Sequence, residues 1–196
     1  MKKSLFLFVL IGGLATYYFY NKKVINIIPT KKIMKRVGNK MTEIIQYAKS
    51  FSNQAIELIK KLEGGFQSKA YPDAGGYSIG FGHYMGKYIV ENNITLQRGL
   101  DLLIADLAKT NLAIKKYVKV PLTQYQFDAI TSAHYNLGNA LFWSNTRSNY
   151  THFLEKLNNK DYTGAAGELK GFVYSQGKVN NTLVTRRDTE AELFLA

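Results

Sequence analysis

The chain contains no cysteine. That excludes disulfides, thiolate metal ligands and a cysteine nucleophile, and it leaves no redox signature. Histidine is scarce. His83, His134 and His152 are scattered, with no H-E-x-x-H or similar ligand spacing, so no metal site is expected. No G-x-x-x-x-G-K-[ST] loop occurs, and the glycines of GGYSIGFG do not follow the dinucleotide-binding pattern. No internal repeat and no low-complexity segment is visible. Acidic residues number 14 against 26 Lys and Arg, a net charge of +12. This balance first suggests nucleic acid, but its distribution argues otherwise. Residues 1–50 hold ten basic residues and one acid, Glu43; residues 51–196 hold sixteen basic and thirteen acidic residues. The excess is a basic tail on a mildly basic body, which suits an anionic wall or lipid surface and does not require a nucleic acid partner.

What is present supports a packed domain. Apolar residues make up 46% of 196, enough for one core plus a short extra segment. The 14 Tyr and 11 Phe favour grooves that stack on rings. Lys2 and Lys3 precede seventeen uncharged residues, Ser4 to Tyr20, ending in an aromatic cluster closed by Lys22 and Lys23. This predicts an N-terminal hydrophobic helix, with residues 1–22 a membrane anchor or a signal peptide. Residues 23–50 read as a basic linker beside anionic lipid. Seven basic residues follow the apolar run within twenty positions, against two before it, which favours the cytoplasmic side for the domain.

The globular domain is expected over 51–196. Ser52 can cap a helix through Ile56, Ile59 and Leu62, ended by Gly64 and Gly65. Ala70 to Gly86 reads as a hairpin or small sheet. Thr95 can cap a second helix broken by Pro121, and Thr123 a third ending at Gly138. Shorter helices are expected near Tyr150–Leu157, Tyr162–Lys170 and Thr182–Leu195. One small β unit followed by many helices is an α+β pattern, with a cleft where the two parts meet.

The run EGGFQSKAYPDAGGYSIGFGH carries the chemistry. Glu63 closes the first helix, Asp73 sits at a Pro/Gly-rich turn, and Ser78 lies on the following strand. Two carboxyls and a hydroxyl in one unit are parts that glycoside hydrolysis uses. One carboxyl donates a proton to the leaving oxygen, and the other activates water or stabilises positive charge on the sugar. An apolar helix end would raise one carboxyl pKa while a wet turn would not.

Three blocks in order resemble the phage-type lysozymes of glycoside hydrolase family 24, which include the T-even phage lysozymes. They are Glu63-Gly64 with Tyr71-Pro72-Asp73 and Ser78-Ile79-Gly80-Phe81-Gly82-His83; PLTQYQFDAITSAHYNLG from Pro121; and the stretch from Phe153 to Phe194. The resemblance covers about residues 52–195. It implies a lysozyme-like α+β fold and a monomeric muramidase that cleaves the β-1,4 bond between N-acetylmuramic acid and N-acetylglucosamine in peptidoglycan, as an endolysin does. It implies no cofactor. Glu63 would be the general acid and Asp73 the second carboxylate. Ser78, at the family's threonine position, would hold the water. Tyr135 and Asn136 would bind substrate, Arg187 would pair with the catalytic acid, and His83 with Asp106. A wall hydrolase must be exported, which opposes the charge rule above. Two departures stand out: Gly65 lengthens the loop before Tyr71 by one residue, and the turn from Asp73 to Ser78 is one residue shorter. Two rival functions use the same fold: a lytic transglycosylase, and a non-hydrolytic peptidoglycan-binding protein.

Overall fold

A computed structural model describes residues 50–73 and 75–196, and the backbone of 7–11 and 14–18. The chain divides into two compact units, Met1–Ile45 and Gln46–Ala196.

The described part of the first unit is an antiparallel pair, β1 (Leu7–Ile11) and β2 (Leu14–Tyr18). This corrects the expected N-terminal hydrophobic helix. The two segments carry Val9, Ile11, Thr16, Tyr17 and Tyr18, residue types that suit a pleated surface. In sequence they are separated by Gly12-Gly13, a pair that two-residue hairpin connections favour. No helix among the described residues is long and apolar enough to cross a membrane. The basic segment expected as a linker lies, but for Ser50, outside the described residues.

The second unit begins with helix α1 (Asn53–Leu62), where Ser52 caps the Gln54 N–H. The start is anchored over a long sequence distance. Buried Asp128 accepts hydrogen bonds from the Ser52 amide at 2.9 Å, from the Ser52 hydroxyl, and from Gln124. A Schellman motif closes α1: Gly65 N–H bonds to Lys60 O and Gly64 N–H to Lys61 O, both glycines having positive φ. Gly65 is thus part of the helix stop rather than slack in the following loop.

A three-stranded antiparallel sheet follows, in order β3 (Gln67–Asp73), β4 (Gly76–Gly80) and β5 (His83–Gly86). It starts three residues earlier than the expected hairpin. Helix α2 (Leu96–Tyr117), about 33 Å long, packs on β4 and β5 at one end and on helix α3 (Gln124–Leu137) further along. It stops at Tyr117 rather than at Pro121, because Val118 is already extended. Thr123 and Gln126 form a reciprocal capping box at the start of α3. A short 3-10 turn, Gly138–Leu141, leads to the two-residue pair β6 (Trp143–Ser144) and β7 (Asn149–Tyr150). Then come α4 (His152–Asn158), α5 (Tyr162–Leu169), the pair β8 (Tyr174–Ser175) and β9 (Lys178–Val179), and α6 (Asn181–Leu195). Tyr150 belongs to β7, and α4 begins after the Thr151 cap.

Two apolar clusters hold this unit. The larger joins Ile114, Phe127, Ile130, Phe142, Phe153 and Phe194 within the helical part. The smaller, Ile59, Phe81, Leu103 and Leu107, ties α1 and the sheet side to α2. The fold is therefore α+β, a small sheet against a mainly helical body.

His134 marks a pH-sensitive point in the larger cluster. Its Nδ1 lies 3.2 Å from the Thr110 hydroxyl, and its ring centroid is 5.2 Å from that of Phe142. Burial pushes its pKa below the usual 6.5. The unfolded chain takes up a proton near pH 6.5 that the folded chain accepts only at lower pH. Stability present above that pH is therefore lost as pH falls through it. Denaturant titrations between pH 7.5 and 5 should show this loss, and His134→Gln should flatten it. An unchanged slope in the variant would remove His134 as the cause.

Candidate active site

Glu63 is the C-cap residue of α1, its amide bonded to Ile59 O at 2.9 Å. The turn of the Schellman motif fixes where its side chain leaves the helix. Asp73 ends β3, opposite Gly76, and Tyr71 lies opposite Ser78. The two-residue period of a strand puts Tyr71, Asp73 and Ser78 on one face of the sheet, with Asp73 and Ser78 as diagonal neighbours. Ser78, fully buried, donates its hydroxyl to Asp73 Oδ2 at 2.7 Å. On the far side of β4, Tyr84 lies opposite Ser78 and shares that face.

Glu63 and Asp73 line a single cleft of about 450 Å³ with Gly82, Tyr84, Tyr135 and Asn136. Ser78, His83, Asp106 and Arg187 are not among its lining residues. Tyr135 donates its hydroxyl to Phe81 O at 2.8 Å. Burial, with the nearby Glu63 and Asp106 carboxyls, pushes the Tyr135 pKa far up, so it works as a neutral donor. Tyr71 is raised too, by burial first and then by Asp73 and Glu63. His83 Nδ1 lies 2.6 Å from Asp106 Oδ2, and Lys109 holds the other Asp106 oxygen at 2.8 Å. No group of three or more acidic or histidine side chains among the described residues could hold a metal ion.

The expected pairing of Arg187 with Glu63 is not the one formed. Arg186, not Arg187, meets Glu63: its Nη1 donates to Glu63 Oε1 at 2.7 Å. Successive residues on a helix point about 100° apart. Arg186 therefore turns toward Glu63, while Arg187 turns toward Asn136, donating to its Oδ1 at 2.7 Å. The adjacent pair Arg186-Arg187 was visible in the sequence, but which of them faces Glu63 is set by the roll of α6 on α3. The surroundings of Glu63 are accordingly polar and charged rather than apolar. Glu190, Tyr84 and Gly82 join the site without being expected from the sequence. Glu190 carries a usable signal, standing four and three residues after the two arginines.

Gly82 has a specific steric role. Its φ is +91°, and a Cβ there would lie 2.9 Å from Glu63 Oε2. Gly82→Ala should cost about 1–3 kcal/mol of stability through backbone strain and displace the Glu63 carboxyl. Thermal unfolding together with wall-lysis rates should show both losses. Unchanged lysis would mean that the carboxyl has room to move.

A helical body, a small sheet and a cleft with two carboxyls from the two parts define a lysozyme-like protein. Comparison with known proteins agrees. The model of the phage lysozyme family matches residues 60–190. An endolysin of Bacillus phage B103 is 37% identical over 149 residues, covering 74% of this chain and 54% of that one. An endolysin of Acyrthosiphon pisum secondary endosymbiont phage 1 is 36% identical, covering 73% of this chain and 96% of that one. A SAR-endolysin of Enterobacteria phage P21 is 31% identical over 62% of this chain and 70% of its own length. Among solved structures, an endolysin from Escherichia coli O157:H7 phage FAHEc1 aligns with TM-score 0.63 and 31% identity, covering 76% of this chain and 94% of that one. The muramidase domain of SpmX from Asticaccaulis excentricus aligns with TM-score 0.64 and 30% identity, over 75% and 98% of the two chains. The chain belongs to the phage lysozyme family. It spans about half the length of the Bacillus phage endolysins it matches.

Proposed function

We propose that the protein is a peptidoglycan muramidase, hydrolysing the β-1,4 bond between N-acetylmuramic acid and N-acetylglucosamine and so lysing bacterial walls. One observation carries the reading: Glu63 and Asp73 line the same cleft, beside Tyr84, Tyr135 and Asn136. Glu63, half-buried at the helix end, gives its proton to the glycosidic oxygen. Asp73, exposed on the strand and held by Ser78, orients the attacking water or stabilises the oxocarbenium-like sugar. Tyr135 and Asn136 bind the N-acetyl sugars, and Arg186 and Arg187 orient Glu63 and Asn136. Family membership and the endolysin names of the relatives support this reading. Incubation with purified peptidoglycan should release new reducing ends, and Asp73→Asn should slow the release sharply. A wild-type protein that binds walls without releasing reducing ends would contradict the proposal.

Peptidoglycan lies outside the cytoplasmic membrane, so this reading requires export. The uncharged run from Ser4 to Tyr20 between lysine pairs supports membrane association of the N-terminal segment at some stage, and the likeness to SAR-endolysins accords with it. Cell fractionation of the full chain should place it with membranes, or yield a mature form that starts near residue 16. A full-length chain with its N-terminus intact and found only in the soluble fraction would contradict this part.

A further inference from the structure

At the cleft wall lies a network of four charged side chains, Glu63, Arg186, Arg187 and Glu190. Glu190 is fully buried on α6. Its Oε1 accepts from the Ser132 hydroxyl at 2.6 Å and from Arg186 Nε at 3.2 Å, and its Oε2 lies 3.0 Å from Arg187 Nε. Each arginine then reaches the cleft at 2.7 Å, Arg186 to Glu63 and Arg187 to Asn136. Both guanidiniums are buried, Arg187 completely.

This arrangement poses a problem for a proton donor. Two buried cations near Glu63, with no second anion, would favour its ionised form strongly. A general acid must hold its proton. Glu190 supplies the second anion. Burial raises the Glu190 carboxyl above the usual carboxylate range, and Arg187, Ser132 and Arg186 pull it back down. Two guanidiniums stand against it, Arg186 Nε at 3.2 Å and Arg187 Nε at 3.0 Å, the pairing an anion there would make.

We infer that Glu190 is a positioning and charge-balancing residue: it offsets one of the two buried arginines, so that Glu63 can carry the proton it donates, and it aims both arginines at the cleft. The inference rests on the muramidase reading above and goes beyond it by assigning a role to a residue that never touches substrate. The other groups around Glu63 do not supply the balance. From α3, Tyr135 is held neutral, as is Tyr71 from β3. Asp73 is exposed on the sheet side of the cleft, where water screens it. In the last turn of α1, Lys60 is engaged at 2.9 Å by the exposed Glu57 and Lys61 is exposed, so neither supplies an anion. Lys170, the cap after α5, is engaged at 2.9 Å by the half-exposed Asp188.

The test is the pH dependence of kcat/KM on purified peptidoglycan fragments, using the full chain. Loss of the donor proton sets the basic limb. Glu190→Gln leaves two cations unbalanced, so the basic limb should move down by about one pH unit. Arg187→Met removes one cation and should move it up. The double variant should return it toward wild type, and Glu190→Asp, which keeps the charge, should leave it in place even if the rate falls. A purely structural role for Glu190 predicts slower or less stable enzyme with an unmoved limb, and that result would overturn the inference. If Glu190→Gln fails to fold alone, the comparison of Arg187→Met with the double variant decides: loss of the Glu190 charge in that background should lower the limb, and an unmoved limb would overturn the inference. A wild-type protein that releases no reducing ends defeats the muramidase reading itself. An active wild type with unmoved limbs defeats only this inference.

Discussion

Glu63→Gln should fold like the wild type and lose about 10²–10⁴-fold in lytic rate. The amide keeps the size of the side chain and its acceptor oxygen for Arg186, but it has no proton to give. Stability should hold because Arg186 keeps a second partner, Glu190 at 3.2 Å, so no buried guanidinium is stranded. Thermal unfolding and wall-lysis rates measured on the same preparation separate the two effects. KM should change little, since the loss falls on the transition state. A folded Glu63→Gln protein with near wild-type lysis would remove Glu63 as the proton donor.

Arg186→Met should lower both stability and lysis. The Arg186 side chain is 5% exposed and bridges two carboxylates, Glu63 and the fully buried Glu190. Glu190 keeps Arg187 at 3.0 Å and the Ser132 hydroxyl at 2.6 Å, so each carboxylate loses one charged hydrogen-bond partner and the cost should be about 1–3 kcal/mol. For a unit of this size that is several degrees in melting temperature. Lysis should fall as well, since Glu63 loses the group that orients it. Arg187→Met makes the useful contrast. It leaves the Arg186–Glu63 contact at 2.7 Å in place, so its losses should fall more on substrate binding through Asn136. If Arg187→Met and Arg186→Met gave the same kinetic profile, the assignment of the two arginines would be wrong.

Much of the candidate site could be read directly from residue types. Ser52, Thr95 and Thr123 announce helix starts because a side-chain oxygen satisfies an end amide, and the structure has all three caps. Gly64 and Gly65 announce the stop of α1 because only glycine adopts their backbone angles without strain. Glu63 follows from those elements, and the strand period brings Asp73 and Ser78 to one face once the register that sets Asp73 opposite Gly76 is given. Other features depend on contacts that no local pattern encodes. The pairs β6–β7 and β8–β9 are two residues long on each side, too short for an alternating pattern to show. The choice of Arg186 over Arg187 depends on how α6 rolls against α3. The apolar N-terminal run satisfies helix and strand preferences about equally over five-residue pieces, and the Gly-Gly between them favours the hairpin.

Digestion of purified peptidoglycan by the full chain, with the muropeptide products read by mass, tests the central claim most directly. The account predicts products that end in reducing N-acetylmuramic acid, formed by the wild type and nearly absent with Glu63→Gln. Products ending in 1,6-anhydro-muramic acid would mean that the sugar's own hydroxyl, not water, attacks. That outcome, or an undigested polymer, would contradict hydrolysis by the Glu63–Asp73 pair.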